Sequence, residues 1–212
     1  MNKKIETKVE VHCIFPVTVY KTRINPNFNK KQNLIINNYL KKLKKNEGNK
    51  LSIDSYVLEN KYLKNFKNQL LFFVKDYIFN VMKYQSTIKP YVTQSWFNIT
   101  NNNEYHHKHS HPNSFISGVF YLNADFNYDK IHTYKPLTKT HSLDPTLQEI
   151  NYYNSSEWIF SVGTYDLILF PSYLEHRVDF KQGDNTRISL AFNTWLKGDI
   201  GDKDKLALLK LW

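Results

Sequence analysis

The chain has 212 residues, of which 41% are hydrophobic, 16% aromatic and 23% charged, which is enough apolar material for one well-buried domain and excludes wholesale disorder. Its formal net charge of +10 raises nucleic acid as a partner without favouring it, because residues 1–90 hold 18 Lys/Arg against 6 Asp/Glu and residues 91–212 hold 11 against 13. The lone Cys13 excludes an intrachain disulfide framework, and neither an apolar leader nor a run of ~18 apolar residues is present, so a cytoplasmic protein with no membrane partner is expected.

Val9–Phe15 and Val17–Tyr20 are short apolar stretches broken by Pro16, predicted as a strand or a pair of strands with Cys13 packed as a small hydrophobe. From about Asn27 to Lys45, Phe28, Leu34, Ile35, Tyr39 and Leu43 recur at helical intervals, and Asn46-Glu47-Gly48-Asn49 reads as a helix stop. Lys41, Lys42, Lys44 and Lys45 flank Leu40 and Leu43 as a solvated face would. A longer helix is predicted over Lys61–Tyr84, where Leu63, Phe66, Leu70, Phe73, Val74, Tyr77, Ile78 and Val81 form a broad stripe to be buried against a sheet.

After Pro90 the texture changes to short β-prone runs separated by turn residues. Tyr91–Thr100, Tyr105–His111, Ser114–Leu122, Ile131–Tyr134, Glu157–Ser161, Tyr165–Phe170, His176–Phe180 and Thr186–Trp195 make eight candidate strands, the number of a jelly roll. The polar stretch Asn123–Ser156 is a candidate lid or substrate-recognition segment. Its His132 and His141 are read as surface residues or substrate contacts. Leu206, Leu209 and Trp212 suggest a short capping helix over Lys203–Trp212. One domain is expected, with a helical buttress in 1–90, a jelly-roll core in 91–195 and a cap in 196–212.

Chemistry concentrates in His106-His107-Lys108-His109-Ser110-His111-Pro112. In an extended strand His107, His109 and His111 share one face, and two imidazoles so placed can reach one metal ion. His176 opens a later strand after Leu169-Phe170-Pro171-Ser172-Tyr173-Leu174-Glu175. Arg187, Ser189 and Ala191 alternate with Ile188, Leu190 and Phe192, so an arginine faces inward, which is costly unless it meets an anion. Asp166 and Asp179 are candidate partners for a purely structural ion pair.

The joint order H-x-H-P-N-S-x-x-S-G-V-F-Y-L, L-F-P-S-Y-L-E-H-R-V and R-I-S-L-A-F-N resembles a family of 2-oxoglutarate/Fe(II)-dependent oxygenases found widely in marine bacteria and their phages. Ile14-Phe15-Pro16-Val17, Ser52–Leu58 and Ser95-Trp96-Phe97-Asn98 also look like that family, so the resemblance covers nearly the whole chain. It implies a mainly β fold with α, a double-stranded β-helix (jelly roll, cupin-like) with buttressing N-terminal helices. It further implies an Fe(II)- and 2-oxoglutarate-dependent dioxygenase that consumes O2, releases succinate and CO2, and hydroxylates a primary substrate the sequence does not name. Where such sites use H-x-D/E, this chain has His109-Ser110-His111, so either His109, His111 and His176 hold the iron or two histidines do and water completes the site. A His107/His109 pair is the minor alternative, and His106 is read as a non-ligand. Arg187 is assigned to the distal carboxylate of 2-oxoglutarate, assisted by Ser189, with Asn98 and Tyr121 as secondary cosubstrate contacts. The rival classes are a non-catalytic jelly-roll metal-binding or structural protein and a basic nucleic-acid-binding protein.

Overall fold

Two antiparallel sheets face one another in a computed structural model that describes residues 9–136 and 146–212. In chain order the strands are β1 (Tyr20–Arg23), β2 (Leu43–Lys45), β3 (Lys50–Ser52), β4 (Ile88–Thr100), β5 (His106–His109), β6 (Ile116–Asn123), β7 (Lys130–Tyr134), β8 (Glu157–Ser161), β9 (Asp166–Pro171), β10 (His176–Val178), β11 (Arg187–Ile200) and β12 (Leu209–Leu211). The large sheet runs β1-β9-β6-β11-β4-β3-β2, with β12 added on β11, and the small sheet runs β5-β10-β7-β8. Strands β4 to β11 are the eight of the predicted double-stranded β-helix.

The large sheet is buried on both faces, which is why β9 reads as an unbroken apolar run rather than an alternating one. Phe97 and Ile99 of β4, Phe120 of β6, Leu167 and Leu169 of β9, and Leu190 and Phe192 of β11 point outward into one core. Helices α1 (Lys30–Leu40) and α2 (Lys64–Asp76) close that core with Ile36, Phe66, Leu70 and Val74. The other face holds a smaller core of Tyr121, Ile168 and Phe170 against Ile131, Val162 and Leu174. Gly118 fits this layering because Phe192 lies against it. A Cβ there would sit 2.3 Å from the Phe192 Cζ and 2.8 Å from a Leu169 methyl.

Several sequence expectations change. The first helix starts at a capping box, Asn29 with Gln32, but ends at Leu40. Leu43–Lys45 instead pairs with Lys50–Ser52, and Asn46–Asn49 is the hairpin turn between them, closed by Asn46 N–H to Asn49 O at 3.0 Å with Gly48 at φ +82°. Turn residues that stop a helix also close a hairpin, so the signal was genuine and its reading wrong. Residues 9–19 form no strand; pairing begins at Tyr20, and Cys13 is exposed rather than packed. The expected C-terminal helix is a strand: Leu209–Leu211 pairs with Gly198–Ile200 after a turn at Gly201, while Leu206 and Trp212 are exposed. The second long helix is borne out in outline, as α2 flanked by a 3-10 turn at Lys61–Leu63 and a π turn at Tyr77–Val81. Among the described residues no helix is long and apolar enough to cross a membrane.

Candidate metal and cosubstrate site

Between the two sheets, β11, β4 and β6 present three successive rows of inward side chains. Register aligns Ala191 with Trp96 and Val119, then Ser189 with Asn98 and Tyr121, then Arg187 with Thr100. The small sheet faces these rows with His109, His176, His106, Val178 and Ile131. The inward alternation predicted for Arg187, Ser189 and Ala191 is present, with Leu190 and Phe192 in the outer core.

The histidine strand departs from regular alternation. His176 pairs with His109 but Val178 pairs with His106, so three steps along β5 oppose two along β10. This β-bulge turns both His106 and His109 into the cavity, with stacked rings 4.5 Å apart. The single face expected for His107, His109 and His111 is therefore not what the backbone makes. His107 lies toward Glu47, its Nδ1 3.8 Å from that carboxylate, and His111 lies beyond the strand's end.

A serine network returns His111 to the cavity. Its backbone N–H donates to Ser172 O at 2.9 Å, the Ser172 hydroxyl contacts those of Ser114 (2.7 Å) and Ser117 (2.8 Å), and Ser117 bonds Asn193 Oδ1. The serines of P-N-S-x-x-S-G and F-P-S thus tie the His111 loop to the turn before His176. Ligand-capable atoms of His109, His111 and His176 all lie within 4.8 Å of one another, and the Nε2 atoms of His111 and His176 are 3.3 Å apart.

Each hydrogen bond fixes which nitrogen is free. His109 Nδ1 donates to His107 O (2.8 Å) and His176 Nδ1 donates to Leu174 O (2.9 Å), leaving both Nε2 lone pairs turned inward. Burial, then neighbouring imidazoles, push His111 down to about 4 and His176 to about 3, and burial lowers His109 as well. All three rings are therefore neutral near pH 7. Neutral imidazoles, anchored through the far nitrogen by backbone carbonyls, are what a transition-metal site requires. Nitrogens bound at about 2.1 Å and at right angles lie about 3 Å apart, so this donor set fits one ion. Trp96, whose ring is 5.9 Å from His111, and Phe170, 4.6 Å from His176, give it apolar flanks.

His106, His107 and His109 form a second group within the same distance limit. Because His109 has one free nitrogen, the two groups compete for a single ion and cannot hold two.

Deeper in the cavity, Arg187 is 4% exposed and donates to Thr100 Oγ1 at 3.0 Å. Its carboxylate neighbour is neither Asp166, which pairs with Lys21 and Arg23, nor Asp179, which pairs with Arg177 and His132. It is Asp129, whose Oδ1 stands 3.9 Å from Arg187 Nη1 and 3.6 Å from Lys181 Nζ. Asp129 Oδ2 accepts from Asp125 N–H (2.8 Å) and Asn185 Nδ2 (3.0 Å), while Oδ1 has no hydrogen bond and is buried. Among the described residues the cluster holds two cations against one carboxylate, an excess of positive charge in a buried place. Asn98 Oδ1 is likewise buried without a partner. The cavity is only about 40 Å³, so a five-carbon diacid enters only as lining side chains shift.

Sequence reasoning missed Asp129, Lys181, Thr100, Trp96 and His106. Trp96 and Thr100 could have been read from alternation through Asn98; the others depend on long-range packing and on the bulge. His132 is not a surface residue: it is 7% exposed in β7, hydrogen-bonded through Nδ1 to Glu157, with its Nε2 3.1 Å from Asp179 Oδ2. His141 lies outside the described residues.

Residues 94–193 match the family model described as "Putative 2OG-Fe(II) oxygenase". A search of curated proteins gave no match. Among solved structures the chain is similar to an oxidoreductase of the 2OG-Fe(II) oxygenase family from Burkholderia pseudomallei, at TM-score 0.55 and 11% identity over 83% of each chain. It is similar to HygX from Streptomyces hygroscopicus with nickel and 2-oxoglutarate bound, at TM-score 0.51 and 10% identity over 84% of this chain and 82% of that one. SnoK, a non-heme alpha-ketoglutarate dependent carbocyclase from nogalamycin biosynthesis, gives TM-score 0.52 and 8% identity over 82% and 78%. At these identities the likeness shows the shared double-stranded β-helix. Residues 94–193, the segment similar to that family model, contain the converging histidines, Arg187 and the residues that line the cavity between them.

Proposed function

We propose that the protein is a 2-oxoglutarate-dependent oxygenase in which His109, His111 and His176 hold Fe(II) and Arg187 receives the distal carboxylate of 2-oxoglutarate. One observation carries the reading: free imidazole nitrogens converge at one end of a cavity whose other end is a buried cluster with excess positive charge. Iron held there would supply the oxidative chemistry, in which 2-oxoglutarate, O2 and a C–H substrate give succinate, CO2 and a hydroxylated product. Three neutral ligands leave the ion its full charge, which a dianionic cosubstrate offsets. Ser189, Asn98 and Tyr121 line the path between the ligands and Arg187, where Asn98 can donate its amide N–H to the cosubstrate. Trp96, Val119 and Ala191 give the reacting end apolar walls. The free Cys13 suits a reducing, cytoplasmic setting.

Anaerobic protein loaded with Fe(II) is expected to develop a visible charge-transfer band on adding 2-oxoglutarate, and to release succinate slowly on exposure to O2. Folded, metal-loaded protein that shows neither would overturn the assignment in favour of a binding or structural jelly roll.

A further inference from the structure

Of the imidazoles lining the cavity, His106 is used by nothing described so far. The bulge in β5 turns it into the cavity that Ser189, Asn98, Tyr121 and Arg187 also line, with its ring stacked on that of His109 at 4.5 Å. Unlike His109 and His176, it has no carbonyl holding a ring nitrogen, and neither nitrogen bonds a described residue. Arg187 lines the same cavity. So does Asn98, whose Oδ1 is buried with no partner among the described residues. A ring nitrogen without an internal partner, on a residue that lines a cavity, is free to donate to a ligand that enters it.

We propose that His106 is a cosubstrate-binding residue, donating a ring N–H to the distal carboxylate of 2-oxoglutarate beside Arg187 and Thr100. The inference rests on the oxygenase reading above and adds a contact specific to this chain's H-H-x-H run. A neutral imidazole suits this position: it offers a donor without adding a third cation to a cluster that already holds Arg187 and Lys181. Arg187 is held at Thr100 from the large sheet and His106 comes from the small one, so the carboxylate would be gripped from both sides.

The test measures equilibrium binding of 2-oxoglutarate, and of 2-oxobutyrate, which keeps the 2-oxo acid end and lacks the distal carboxylate. Ligands are titrated into the anaerobic Fe(II)-loaded full chain, and metal affinity is measured separately. Relative to wild type, His106→Ala is expected to weaken 2-oxoglutarate at least about tenfold, as loss of a hydrogen bond to a charged group does. Binding of 2-oxobutyrate and of metal should stay within about twofold. His106→Gln, which keeps an N–H donor, should recover part of the loss and also serves if the alanine variant does not fold. Equal weakening of both oxo acids would make His106 a packing residue, and unchanged 2-oxoglutarate binding would remove it from the site. Loss of metal would move it into the ligand set; each of these outcomes overturns the proposal. If wild type itself binds metal but no 2-oxoglutarate, the oxygenase reading fails first, and the wild-type arm shows that by itself.

Discussion

Replacing Arg187 separates a structural ion pair from an anion site, because the two roles place the loss in different measurements. Arg187 makes one direct hydrogen bond, to Thr100, and its approach to Asp129 is long at 3.9 Å. Without it, Asp129 still has Lys181 at 3.6 Å and the donors of Asp125 and Asn185. The ligand-free Arg187→Met variant should therefore lose only about 1–2 kcal/mol, less than the 3–5 kcal/mol that breaking a buried pair costs. For a chain of this size that is a fall in Tm of about 2–8 °C. Affinity for 2-oxoglutarate should drop by about 2–5 kcal/mol, the cost of truncating one partner of a buried charge pair, or roughly 30-fold to several thousand-fold. Thermal unfolding of metal-loaded protein with and without cosubstrate reads both at once, since ligand at 100 times Kd stabilises wild type by about 2.7 kcal/mol. Asp129→Asn is the complement: it strands Lys181 and Arg187 without a carboxylate, so the free protein loses about 3–5 kcal/mol and 2-oxoglutarate restores a larger share of Tm than in wild type. Unchanged cosubstrate stabilisation in Arg187→Met, or a loss above about 3 kcal/mol without ligand, would show that Arg187 belongs to the scaffold.

Single alanine substitutions of His109, His111 and His176 should each lower metal affinity beyond the 10–100-fold typical of outer contacts, while His107→Ala stays mild; metal loss in His107→Ala with retention in His111→Ala would place the ion in the competing group. Acid should destabilise the metal-free protein. The folded-state values of His106, His111 and His176 are pushed below the ordinary 6.5, to about 2, 4 and 3, so below pH 6.5 the unfolded chain binds more protons and stability falls with pH, for His111 down to about 4 and for the other two beyond it. A Tm flat from pH 7 to 4.5 would contradict neutral buried rings. Gly118→Ala, with its Cβ 2.3 Å from the Phe192 ring, should cost about 1–3 kcal/mol by overpacking, and a urea midpoint equal to wild type would show that the layer yields.

Periodicity exposed the parts of the fold that bury one whole face. All eight jelly-roll strands, the stripe of α2 and the inward row of β11 were readable because side-chain alternation and packing agree there. The hairpin at Leu43–Ser52 and the strand at Leu209–Leu211 were not, since each is stabilised by a neighbouring edge that local sequence cannot announce. At the site, the spacing of His109, His111 and His176 was legible, whereas the serine network that brings His111 back to the cavity shows only in the fold. Asp166 and Asp179, the candidate counter-charges for Arg187, lie within predicted strands. The actual one, Asp129, lies just before β7 in a stretch whose polar character looked like loop.

The bulge in β5 also decides which imidazole the cavity receives. A regular pairing would point His107 inward and His106 out, still offering histidine to the interior, so side-chain chemistry alone gives the strand little reason to choose. Contacts from outside the strand bear on that choice. Tyr105 N–H bonds Gly48 O at 2.9 Å, and a Cβ on Gly48 would meet the Tyr105 carbonyl oxygen at 2.7 Å. Glu47, next along the same turn, stands beside His107. A hairpin tip in the lysine-rich first third of the chain is thus packed against the start of the histidine run. Lengthening that tip is expected to loosen this contact, and a shift of the metal-binding loss from His111→Ala to His107→Ala in such a variant would show that the tip sets the register of the histidine run.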